Sequence, residues 1–85
     1  MGETAPMTRL YFEPITVECA DGRPQAFVWR RRIHHVTAIL KRWIVCADWW
    51  RQEIARQYYQ VECENLGTYE IYQEHGRWVL ERMYD

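Results

Sequence analysis

Eighty-five residues suffice for one domain, and a composition that is 48% hydrophobic and 27% charged with a net charge of −1 is that of a folded globular chain. It excludes the disordered and collagen-like classes. No run approaches the roughly 20 apolar residues of a membrane span, and the opening MGETAPMTRLYFEP has neither the basic stretch nor the apolar centre of a secretory signal, so a cytoplasmic protein is expected.

Residues 1–12 read as a loose tail, leaving 13–85 as the single domain. The first strand follows, where Ile15, Val17 and Cys19 alternate with Thr16, Glu18 and Ala20. Asp21-Gly22 marks a hairpin turn. The chain returns through QAFVWRR, with Phe27 and Trp29 on one face and Ala26, Val28 and Arg30 on the other. In RIHHVTAILKRWIV the positions Ile33, Val36, Leu40, Trp43 and Ile44 also fit helical spacing, but the β-branched content and the flanking strands favour a third strand. CADWWRQEIARQ is the least strand-like segment: either Asp48 caps one short helical turn near 47–55, or the connection is irregular.

From Tyr58 the alternation returns. Tyr59, Val61 and Cys63 share a face opposite Tyr58, Gln60, Glu62 and Glu64, and Asn65-Leu66-Gly67 is a turn. Tyr69, Ile71 and Gln73 alternate with Glu70, Tyr72 and Glu74 before the His75-Gly76 turn. In the last strand Trp78, Leu80 and Arg82 oppose Val79, Glu81 and Met83. The expected fold is all-β, an antiparallel meander of about six strands curled into a small barrel, which removes exposed strand edges.

Chemistry-bearing residues are few. The tripeptide Val-Glu-Cys occurs at 17–19 and again at 61–63, and in both copies the Cys shares the face of the Val just before a turn, so both thiols are expected to point inward. Cys19, Cys46 and Cys63 lie 27 and 17 residues apart, without the close pairs of a zinc site. Three cysteines, an odd number at wide spacing, also fit a reducing compartment. His34 and His35 are adjacent on a strand and face opposite ways, so one is packed and the other exposed. No metal, cofactor or catalytic residue is expected, and the chain reads as a non-enzyme.

Two surface features remain. Trp49, Trp50 and Arg51 put adjacent aromatics beside a base, a combination found at binding hot spots, and form the candidate partner-binding group. Residues 23–47 hold six bases and no acid, against four acids and one base in 1–22 and eight acids and four bases in 48–85. Arg30, Arg32, Lys41 and Arg42 are therefore the candidates for an alternative function, single-stranded nucleic-acid binding. The competing reading is that these bases face acids across the sheet.

The blocks PITVECADGRPQAFVWRRR, DWW, RQYYQVECE, GTYEIYQE and RWVLERMYD, in this order over residues 14–85, resemble a family of short bacterial domains of unknown function. The resemblance implies a domain that occurs alone and at the C-terminus of inactive relatives of Y-family DNA polymerases. His34-His35 and the two strand-end cysteines depart from the family pattern. The implied role is a non-catalytic module that binds another protein, in the setting of DNA repair or replication.

Overall fold

The computed structural model describes the backbone of residues 8–49 and 52–84, and the side chains of residues 8–46 and 54–84. Six strands follow in chain order: β1 (Thr8–Ala20), β2 (Arg23–Trp29), β3 (Arg32–Trp49), β4 (Gln52–Cys63), β5 (Thr68–Glu74) and β6 (Arg77–Tyr84). Each pairs antiparallel with the next and β1 returns to pair with β6, so the sheet closes on itself as the alternation predicts. Among the described residues there is no helix.

Three links are two-residue turns in which both residues have positive φ: Asp21-Gly22, Arg30-Arg31 and His75-Gly76. That backbone twist matches the right-handed twist of the strands it joins. Asp-Gly and His-Gly announce such turns, whereas Arg30-Arg31 reads as strand; the turn forms there because the Trp29↔Arg32 and Val28↔Ile33 pairs fix the register on either side. The fourth described link is longer. The Leu66 N–H donates to the Cys63 carbonyl, and Asn65 Oδ1 accepts from the Gly67 N–H.

The interior is filled by Phe27, Trp29, Tyr59, Val61, Cys63, Tyr69, Ile71 and Leu80, with Tyr11, Ile15, Val17, Val36, Ile39, Trp78 and Met83 packed around them. Cross-strand rows build this core, such as Tyr59, Ile71 and Leu80 on β4, β5 and β6. Burying each of these large apolar side chains stabilises the fold by about 1.5–3 kcal/mol. The aromatic pairs add edge contacts, Phe27 and Trp29 meeting Tyr69 at centroid distances of 5.4 and 6.1 Å.

Bulges correct several expectations of facing. The register shift between Glu18 and Cys19 leaves Cys19 exposed, while Cys63 is buried as expected. A shift between Glu70 and Ile71 sets Glu81 as an extra residue on β6, so that Met83, rather than Arg82, joins the core. The tail boundary also moves, because Thr8, Arg9 and Leu10 already pair with Tyr84, Met83 and Arg82. The 47–55 segment is strand wherever it is described: the ladder runs without interruption from Lys41↔Gln60 to Trp49↔Gln52. A continuous ladder supplies partners to backbone groups that an irregular connection would leave to water.

That ladder is longer than the barrel. β2 meets β3 only at Arg32–His35 and β5 meets β4 only at Gln57–Glu62, so the far part of the β3–β4 hairpin projects as a two-stranded ribbon.

Candidate partner-binding site

The ribbon begins where the barrel packing ends. On its outer face Trp43 stacks on Tyr58 at 5.1 Å with planes 10° apart, and Tyr58 leans on Tyr72 at 5.1 Å. Lys41 Nζ lies 5.6 Å from the Trp43 ring centre, and the Arg56 guanidinium sits 4.7 Å over Tyr72. Arg56 Nε also donates to Glu74 Oε1 at 2.6 Å, and that bond, with a second to Tyr58, raises its pKa further.

Beneath these rings lies a network of buried carboxylates outside the barrel proper. Glu70 and Glu81 are each 7% exposed. Tyr58 Oη donates to Glu81 Oε1 at 2.6 Å, Tyr84 Oη donates to Glu70 Oε2, and Arg82 bridges the two, donating to Glu81 Oε2 at 2.9 Å and lying 3.6 Å from Glu70 Oε1. Burial, and the loss of those bonds on ionisation, push the Tyr58 and Tyr84 hydroxyls up. Every buried charge here has a partner, as a structural brace requires.

Just beyond the brace the ribbon carries exposed apolar side chains. Ile44 is 61% and Val45 43% exposed, with Leu40 at 52% just before them. Val45 follows Trp43 on the outer face, and Ile44 follows Arg42 on the other. A groove of about 500 Å³ runs along that second face, lined by Arg42, Trp43, Ile44, Gln57 and Tyr59.

The candidates read from the sequence fall into three places. Trp50 and Arg51, and the side chain of Trp49, lie outside the described residues; the Trp49 backbone is strand at the ribbon end, paired with Gln52. Arg30 belongs to the β2–β3 turn at the opposite end of β2. There Glu13 Oε1 accepts from Trp29 Nε1 at 2.8 Å and from Arg30 Nε at 3.3 Å, while Glu13 Oε2 accepts from Arg30 Nη2 at 3.0 Å. The Arg30 guanidinium also covers the Tyr11 and Trp29 rings at 4.8 and 4.7 Å. Arg30 and Trp29 together hold the Glu13 carboxyl below the usual range.

Arg32 stands beside the same turn, whereas Lys41 and Arg42 line a groove of about 260 Å³ with Arg23, Ile39 and Leu40. The two basic groups are separated by the length of β2, about 20 Å at 3.3 Å per residue. Arg30, Arg32, Lys41 and Arg42 therefore do not form one patch, and Arg30 is already paired with an acid, as the cross-sheet reading held.

The histidines divide as expected: His35 is exposed, and His34 packs against Phe27, Trp29 and Tyr69 at 5.0, 5.9 and 5.3 Å. Its Nε2 is buried without a hydrogen-bond partner, and desolvation lowers its pKa. Burial pushes the Cys63 thiol up to about 12, which leaves it unreactive at neutral pH. Among the described residues no group of three or more His, Cys, Asp or Glu is placed to hold a metal ion.

A family model described as a domain of unknown function (DUF6504) matches residues 5–85. The chain belongs to that family. Comparison with curated proteins and with solved structures finds no match. The family description names no function, so the candidate site rests on the ribbon geometry. Sequence reading did not single out Leu40, Ile44 and Val45 as surface residues; it noted only that Leu40 and Ile44 fit helical spacing. Their exposure follows from the mismatch of the finished strands: β3 has 18 residues, while β2 and β5 have 7 each.

Proposed function

We propose that this domain is a non-catalytic module that binds another protein through the β3–β4 ribbon. One observation carries the reading: the ribbon leaves the barrel with Ile44 and Val45 exposed on its two faces. An isolated two-stranded hairpin is marginal in water, and Ile44 and Val45 give each face of the ribbon an apolar side chain that a partner can cover. The brace of Trp43, Tyr58, Tyr72 and Glu81 holds the ribbon base in place, and a preorganised surface loses less entropy on binding.

The setting we assign is DNA repair or replication, on the resemblance to domains carried by inactive polymerase-like proteins. The single-stranded nucleic-acid reading is not favoured, because its bases are split between two ends of β2.

The test immobilises the full chain and exposes it to extract of its own cells, beside the Ile44→Ser/Val45→Thr double variant. Repair or replication proteins should be retained by the wild type and lost by the variant, with the circular dichroism spectrum unchanged. Equal retention by both would overturn the ribbon as the binding surface. Retention of proteins with no link to DNA would overturn the setting.

A further inference from the structure

The exposed side chains are one part of the ribbon; its backbone is another. Among the described residues, β3 from Lys41 to Trp49 pairs with β4 on one side and with no strand on the other. This free edge is regular, since the ladder has its register shifts before Lys41 and none after it. Nine residues span about 30 Å, long enough for a full strand of a partner to lie alongside. The other edge of the ribbon, on β4, is free only over Gln52–Arg56 and is flanked by the Arg56–Glu74 ion pair.

Charge selects the occupant. Arg23, Lys41 and Arg42 line the groove at the start of the free edge, and none of them pairs with a carboxylate among the described residues. A second copy of this chain, paired antiparallel over 41–49, would set only Asp48 opposite Arg42 and offer no acid to Lys41 or Arg23. A strand rich in Asp and Glu offers an acid to each of the three bases. Its backbone would supply the hydrogen bonds and its alternate side chains would reach the bases and the apolar positions Ile44 and Val45.

Resting on the protein-binding reading above, we infer that the partner adds an extended acidic segment as a seventh strand along the β3 edge from Lys41 toward Trp49. The bases steer and orient the segment, and the free backbone groups fix its register. Binding by this mode weakens with salt, because the bases are solvent-exposed.

A displayed library of random nine-residue peptides, selected on the full chain and on Lys41→Glu/Arg42→Glu, tests this without knowledge of the natural partner. The wild type should enrich proline-free peptides rich in Asp and Glu, and the variant should enrich basic ones. The best acidic peptide should slow amide exchange in 41–49, lose at least tenfold in affinity to the variant, and tolerate N-methylation at every second amide in one register only. Helical or proline-rich winners, tolerance of N-methylation in both registers, or no enrichment would overturn strand addition. So would a dimer of the chain in sedimentation at tens of micromolar, or displacement of the peptide by oligothymidine. Loss of the acidic preference with the Ile44 and Val45 dependence of partner retention intact would overturn this inference alone.

Discussion

Gly67 sits over the Tyr69 ring, where an added Cβ would lie 2.8 Å from the hydroxyl oxygen. Tyr69 cannot step aside, because it is 2% exposed, packs against Phe27 and Trp29, and accepts from Asn65 Nδ2 at 2.9 Å. Gly67→Ala is therefore expected to destabilise the domain by about 1–3 kcal/mol in a denaturant titration, the usual cost of overpacking. His34 supplies the second residue-scale expectation. Its folded pKa lies below the ordinary 6.5, so the unfolded chain takes up the proton first as pH falls. Stability is full above 6.5 and declines below it, through the folded value. The carboxyl of Glu13 is also lowered, but from 4.5, and so acts in a separate, more acidic window. Thermal melts between pH 7 and 5 should show a falling midpoint, and His34→Gln should flatten that slope. His34 was legible as one of a pair facing opposite ways, since strand alternation is local. That it would be the packed one, with Nε2 left without a partner, depended on where Phe27, Trp29 and Tyr69 meet.

At the scale of the element, β3 and β4 owe their length to opposite causes at their two ends. Near the barrel, Val36 and Ile39 on β3 and Tyr59, Val61 and Cys63 on β4 bury their side chains. Along the ribbon, the outer face is held at its base by the stacked Trp43 and Tyr58 and by the Tyr58–Glu81 hydrogen bond. Tyr58→Phe keeps the stack and removes only the hydroxyl. It leaves Glu81 Oε1 without that donor in a 7% exposed residue, and is expected to cost about 1–3 kcal/mol, measured by chemical denaturation at pH 7. The alternation of β4 predicted Tyr59, Val61 and Cys63 inside. It assigned Tyr58 to the outside as though outside meant solvent, and the second layer formed with Tyr72, Glu81 and Arg82 lies beyond what a period of two can express. The same limit hid the Arg30-Arg31 turn, where φ values of 53° and 65° are imposed on residues with no turn preference.

At the scale of the whole molecule, five pairings join strands consecutive in the chain and one long-range pairing, β1 with β6, closes the ring. The hairpins are local in sequence, but closure joins Thr8 to Tyr84. Such non-local pairing slows folding, so stopped-flow refolding is expected in milliseconds to seconds rather than microseconds. The acid-free stretch 23–47, uniform in sequence, is divided by the fold: the turn at Arg30-Arg31 goes to one end of β2 and Arg23, Lys41 and Arg42 gather at the other.

The sequence by itself determined the strand count, the positions of three of the turns and most of the core, because side-chain alternation and Asp-Gly, His-Gly and Asn-x-Gly turns act within a few residues. It also determined the lack of a metal-type cysteine spacing and the family resemblance over 14–85. Only the tertiary structure decided which bases stand together, that Cys19 is exposed, and that β3 outruns β2 to leave a free edge. Those outcomes depend on register and on where neighbouring strands stop, and a strand's own residues do not encode the length of the strand beside it.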